Sequence, residues 1–129
     1  MVKAEGISFD FFGVEYIKSS FLEVFPYQGE KQYITYTTKE FSAVCPFSGL
    51  PDIAQVTIEY IPDEFCLELK SLKYYFISYR NVGIYQEAVT NMLFSDIYAV
   101  LKPHYLKVTT VYNTRGGIDA TCYIEKGNK

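Results

Sequence analysis

Residues 53–79 read Ile-Ala-Gln-Val-Thr-Ile-Glu-Tyr-Ile-Pro-Asp-Glu-Phe-Cys-Leu-Glu-Leu-Lys-Ser-Leu-Lys-Tyr-Tyr-Phe-Ile-Ser-Tyr. The periodicity changes midway. Ala54, Val56, Ile58 and Tyr60 alternate with Gln55, Thr57 and Glu59, and period two predicts a strand over 53–61. Pro62-Asp63-Glu64 makes a turn, and 65–69 is a short strand. Leu72, Tyr75, Phe76 and Tyr79 then recur at helical spacing, with Lys70, Lys73 and Ile77 on another side. Asn81 and Gly83 interrupt before a longer helix over about 85–101. Its apolar stripe is Tyr85, Val89, Met92, Leu93, Ile97, Val100 and Leu101, and Lys102-Pro103 ends it. Towards the N-terminus, 32–38 is β-branched and aromatic and predicts another strand. Residues 44–52, with two prolines and a glycine, read as a loop. Towards the C-terminus, Leu106, Val108, Thr110 and Tyr112 alternate, as do Ile118, Ala120, Cys122 and Ile124, around a turn at 113–117.

Helices grouped between antiparallel hairpins predict an α+β layer, an antiparallel sheet with two helices on one face. The open edges of so small a sheet lead us to expect assembly into a homo-oligomer. Residues 1–29 are aromatic but weakly periodic and read as an N-terminal arm, with the folded domain over 30–129.

Composition narrows the function. The 129 residues are 49% hydrophobic and 21% charged, enough apolar content for one core. Twelve Lys and Arg against fifteen Asp and Glu leave a net charge of −3, which offers no bulk positive grip on nucleic acid. A single histidine, His104, excludes a His-rich metal site within one chain, and no metal is expected. Three cysteines, an odd number, do not suggest a disulfide-stapled secreted domain. With no apolar run near the roughly 20 residues of a membrane helix and no visible signal segment, a cytoplasmic protein off the membrane is the expectation.

Four places could carry chemistry. Cys45 stands in the loop before Pro46, with Asp52 seven residues on; a thiol nucleophile and an acid there could attack an electrophilic carbon and protonate the product. The same spacing serves a structural thiol and a turn-capping aspartate. Cys66 and Cys122 lie in strand patterns and read as core thiols. Lys70 and Lys73, near a helix start, could hold a phosphate with free backbone N–H groups, or simply form a solvated face. Glu87, after Gln86, either complements the helix dipole or accepts two N–H donors from a purine-like ring. Arg115-Gly116-Gly117 is either a hairpin turn or a place where backbone nears a phosphate that Arg115 neutralises.

Together these segments resemble the 7-cyano-7-deazaguanine reductases, the nitrile reductases of queuosine biosynthesis. The resemblance rests on Val44–Asp52, Glu68–Tyr75, Tyr79-Arg80-Asn81, Gln86-Glu87 and Arg115-Gly116-Gly117, and spans about 41–125. Glu-Leu-Lys-Ser-Leu-Lys at 68–73 is its distinguishing motif. The resemblance implies a tunnelling fold, whose subunits pair sheets into a ring with sites at the interfaces. It implies NADPH as cofactor and a small 7-deazapurine nitrile as substrate. It makes Cys45 the nucleophile that forms a thioimide and Asp52 the proton donor. It makes Glu87 the purine anchor beside Gln86, with Leu67, Glu68 and Leu69 also holding substrate. Lys70, Ser71, Lys73, Arg115 and Gly116 fall to the cofactor. The family commonly has His-Glu where this chain has Gln86-Glu87, and Gln86 cannot titrate near neutral pH.

Three other readings compete. A related archaeal branch turns the same nitrile, already in tRNA, into an amidine without NADPH, but lacks the 68–75 motif. A zinc-dependent cyclohydrolase of the same fold needs ligands that one histidine does not supply. A non-catalytic purine-binding module would leave Cys45 and Asp52 vestigial.

Overall fold

Residues 3–129 are described in the computed structural model. After two short 3-10 turns at Val14–Tyr16 and Ser19–Phe21, six strands and two α-helices follow in the order β1 (Val24–Pro26), β2 (Ile34–Val44), β3 (Pro51–Ile61), β4 (Phe65–Leu67), α1 (Leu69–Ile77), α2 (Gln86–Leu101), β5 (Tyr105–Arg115) and β6 (Ile118–Gly127). The main sheet has the order β2-β3-β5-β6, antiparallel throughout, and β1 pairs with β4 in a small second sheet. This is the α+β arrangement expected from the period change, with both helices packed on one face.

The register explains the core. Ala54, Val56, Ile58 and Tyr60 of β3 face Tyr112, Thr110, Val108 and Leu106 of β5 across the ladder, and all are buried. α2 covers them with Val89, Leu93, Ile97 and Leu101, and α1 adds Leu72 and Tyr75. α2 ends at Lys102, whose φ of 47° is left-handed, and Pro103 forbids another turn.

Several boundaries differ from the sequence reading: the short strand expected over 65–69 stops at Leu67, with Leu69 opening α1, and the turn expected at 113–117 narrows to Gly116-Gly117. β2 runs to Val44, well past Thr38. A bulge explains why alternation is lost there: Thr38 pairs with Val56 but Phe41 with Ala54, so β2 carries one extra residue. Inward positions switch from Ile34, Tyr36 and Thr38 to Phe41 and Ala43. Pro51 and Asp52 belong to β3, so the loop is 45–50. The β5–β6 turn uses Gly116 (φ 58°) and Gly117 (φ 77°), both left-handed, as a tight hairpin requires.

The expected N-terminal arm lies along the body; residues 1–2 fall outside the described residues. Phe9 donates its N–H to the Ser48 carbonyl (2.7 Å), and Phe12 to that of Asn81 (2.8 Å). The Gly83 N–H returns a bond to the Phe12 carbonyl (2.9 Å). Further on, the Glu23 N–H donates to Ser71 Oγ (3.0 Å), and the Glu68 N–H to the Glu23 carbonyl (3.0 Å).

Candidate functional site

The 45–50 turn is closed from within. The Cys45 N–H donates to the Leu50 carbonyl, and the Gly49 N–H to the Cys45 carbonyl, both at 2.9 Å. Gly49 has φ +72°, and a Cβ there would collide with the Phe9 carbonyl, so this position needs glycine. The turn folds Ser48 back onto the thiol. Hydrogen bonding from the backbone N–H groups of Ser48 and Phe47 and from the Ser48 hydroxyl holds the Cys45 pKa below the ordinary thiol value. Partial burial and the nearby Asp52 carboxylate push the other way and are outweighed. Cys45 is half-buried, as is Cys122, while Cys66 is fully in the core; all three are free thiols.

Asp52 pairs in register with Ala43, so its side chain lies on the helix-covered face and is only 13% exposed. Arg115, at the end of β5, donates from Nη1 to the Asp52 carboxylate and to the Pro51 carbonyl (3.3 Å). The guanidinium that the resemblance assigns to a cofactor phosphate therefore sits on the expected proton donor.

Residues 82–84 are clamped beside Cys45. Val44 donates its N–H to the Val82 carbonyl (3.0 Å), and Ile84 donates to the Val44 carbonyl (3.1 Å). The clamp sets the start of α2, with Gln86 and Glu87 in its first turn, at the same end of the sheet. Phe47 and Tyr85 meet edge to face there, ring centroids 6.0 Å apart. Cys45, Asp52, Gln86, Glu87 and Arg115 thus share one end of the fold, with Gly116 in the adjoining turn. His104 lies elsewhere, with Nε2 3.4 Å from Asp63 Oδ1.

The remaining expected site residues gather at the start of α1. Glu68 is the N-cap: its carboxylate accepts from the Lys70 N–H (2.9 Å) and the Ser71 N–H (2.8 Å). The free helix-end N–H groups anticipated for a phosphate are therefore taken by Glu68. Ser71 is buried, and its hydroxyl donates to the Glu68 carbonyl (2.7 Å) while accepting from Glu23. Leu67 is fully enclosed in the core, so its side chain reaches no ligand surface. Lys70 and Lys73 are exposed, and among the described residues neither has a carboxylate within ion-pair distance. Between α1 and β2 lies an open cavity of about 360 Å³, with Lys73 and Arg80 as its cations and Leu69, Phe41 and Phe76 among its apolar walls.

Sequence reasoning gave Ser48 no role, and it read residues 1–29 as an arm without placing that arm at the site. A hydroxyl three residues after a loop cysteine was a usable signal for the first. Nothing in the sequence marked Phe9 and Phe12 as partners of the site loop.

Comparison with known proteins now decides the family. The sequence profile described as QueF-like protein matches residues 51–129. The chain belongs to the QueF-like family. Cys45 lies just before the matched span and Asp52 within it. A protein of Thermotoga petrophila named NADPH-dependent 7-cyano-7-deazaguanine reductase is 56% identical over 122 residues, covering 94% of this chain and 89% of the relative. A protein of Caldicellulosiruptor bescii with the same name is 47% identical over 112 residues, covering 85% and 86%. Among solved structures, an apo archaeosine synthase described as QueF-Like matches with a TM-score of 0.67 at 26% identity, covering 80% of this chain and 99% of that one. The QueF-like fold is thus the α+β tunnelling architecture that the resemblance implied. Among the described residues, no helix is long and apolar enough to cross a membrane.

Proposed function

We propose that this QueF-like protein reduces the nitrile of 7-cyano-7-deazaguanine to the primary amine, with NADPH as reductant, in queuosine biosynthesis. The reading rests above all on Cys45: a thiol favoured as thiolate by three donors, with Asp52 on the adjoining strand. Relatives that cover most of the chain carry the reductase name.

Each residue has a defined task in this chemistry. The Cys45 thiolate adds to the electrophilic nitrile carbon, and the nitrogen takes a proton from Asp52, giving a thioimide and a carboxylate. NADPH, when bound, supplies hydride, twice per nitrile because nitrile to amine is a four-electron reduction, each hydride matched by a proton. The C–S link keeps the half-reduced carbon attached to Cys45 until the nitrogen lone pair expels the Cys45 thiolate, leaving an imine that the second hydride turns into the amine. Glu87 accepts the N–H groups of the guanine-like edge, and Gln86 beside it bonds the ring without titrating. Lys73 and Arg80, the cations that line the α1 cavity, are the phosphate partners there, and Lys70 adds a third positive group from another side of α1, beside Glu23 and Ser71. Leu69 gives the cavity an apolar wall for a flat ring. Glu68 and Ser71 act by fixing the start of α1, and Gly116 by leaving the hairpin turn open around Arg115.

These two groups of residues sit in different parts of one chain, and we read the complete site as formed between subunits of a homo-oligomer. The unpaired edges of β2 and β6 support that reading. Three free thiols suit a reducing cytoplasm.

The solved archaeosine synthase keeps the amidine-forming reading in play. The two separate on reductant use. Incubation with 7-cyano-7-deazaguanine and NADPH is expected to consume two NADPH per nitrile, and Cys45→Ala is expected to abolish it. An adduct on Cys45 with no NADPH oxidised would favour the amidine reading.

A further inference from the structure

Tyr112 is 5% exposed, and among the described residues its hydroxyl is the one buried side-chain oxygen or nitrogen without a hydrogen-bond partner. The other deeply buried tyrosines are all satisfied. Tyr60 accepts from the Leu67 N–H (3.0 Å), Tyr75 and Tyr79 bond each other (2.7 Å), and Tyr105 donates to Glu125 (2.6 Å). Phenylalanine would fill the Tyr112 site without burying an orphan hydroxyl, so the hydroxyl calls for a use.

Its surroundings limit what that use is. Tyr112 pairs across the sheet with Ala54 and Ala120, whose small side chains leave width for the ring. Asp52 stands two residues before Ala54 on the same face, hence diagonal to Tyr112, a spacing long aromatic side chains span. Neighbouring hydroxyls are committed: Thr90 and Thr110 bond each other at 2.7 Å, and Tyr79 is held by Tyr75. The charged or titrating groups that act on Tyr112 are Asp52, Cys122 and Glu87, after burial itself. Glu87 is exposed on α2 and Cys122 is a weak acceptor, which leaves the Asp52 carboxyl as the matching partner.

Asp52 has reason to need one. Ion-paired with Arg115, its carboxyl faces the guanidinium rather than a substrate. We propose that Tyr112 is a positioning residue for Asp52, its buried hydroxyl being the second anchor to which the carboxyl turns on leaving Arg115. On leaving Arg115 the carboxylate takes a proton from solvent; the Tyr112 hydroxyl donates to the carbonyl oxygen of the acid so formed, and the acidic O–H is left pointing at the nitrile nitrogen. The inference rests on the reading of Asp52 as proton donor.

Tyr112→Phe, Asp52→Asn and the double variant test it with 7-cyano-7-deazaguanine and NADPH. Tyr112→Phe is expected to melt at or above the wild-type temperature, because no native bond is lost. Its kcat is expected to fall about tenfold, the scale of one hydrogen bond in a transition state, with KM within about twofold. In single turnover the double variant is expected to be no slower than Asp52→Asn alone, since the hydroxyl acts through Asp52. An unchanged kcat in Tyr112→Phe, a raised KM at unchanged kcat, or additive losses in the double variant would each overturn the proposal. Asp52→Asn at wild-type kcat would remove the Asp52 assignment and this inference with it. A slow Asp52→Asn beside a wild-type-like Tyr112→Phe would remove this inference alone.

Discussion

Cys45 owes its character to where its turn places three donors rather than to any cation. Two of the three are backbone N–H groups, which no side-chain substitution removes, and the third is the Ser48 hydroxyl. Ser48→Ala should therefore move the Cys45 pKa upward without restoring the ordinary value. Thiolate grows as pH rises through the pKa, so the rate of iodoacetamide alkylation at Cys45 should reach its plateau at a higher pH in the variant. Identical rate–pH curves for wild type and Ser48→Ala would mean that the hydroxyl does not bond the thiolate. Cys45, Asp52 and Glu87 stood out as candidates from residue identity and spacing, and their roles came only from the family resemblance. Ser48 and Tyr112 did not stand out. Ser48 acts through a turn that only backbone closure defines. Tyr112 alternates like any core residue, and its distinction is a missing bond, which no pattern records. The Arg115–Asp52 pair joins residues 63 apart in sequence and needed the sheet register to appear.

At the scale of elements, α1 shows how one residue can be read two ways. Glu68 looks like a ligand-holding carboxylate in a motif, yet both of its oxygens cap the helix. Glu68→Ala is expected to cost about 1 kcal/mol of stability, seen as a lower urea midpoint at unchanged slope. If the cap is its whole contribution, KM for the nitrile stays near the wild-type value; a large rise in KM would show direct contact with substrate. The period change at 61–72 made the strand-to-helix order legible, and the α2 stripe set its ends to within a residue. β2 was harder. Its bulge inverts the inward phase between Thr38 and Phe41, so a period-two search stops at the extra residue. The short β1–β4 pairing was also hidden, because three residues carry too little alternation to be seen.

On the whole molecule, the proposed reaction asks for more than one chain displays in one place. Phe47, Tyr33 and Ile118 lie 74%, 67% and 71% exposed, and two sheet edges remain unpaired. Light scattering on the purified protein is expected to give a multiple of the 14.9 kDa chain mass; a fully active monomer would contradict the shared-site reading. A homo-oligomer was expected from the sequence, but which apolar side chains lie exposed was not legible there, since exposure is a property of the fold. The central claim is that the nitrile carbon is reduced here, and the mass of the product tests it most directly. With NADPH deuterated in the transferred position, the account predicts a primary amine carrying two deuterium atoms on its methylene carbon. Unreduced nitrile or an amidine free of deuterium, with the NADPH intact, would contradict it.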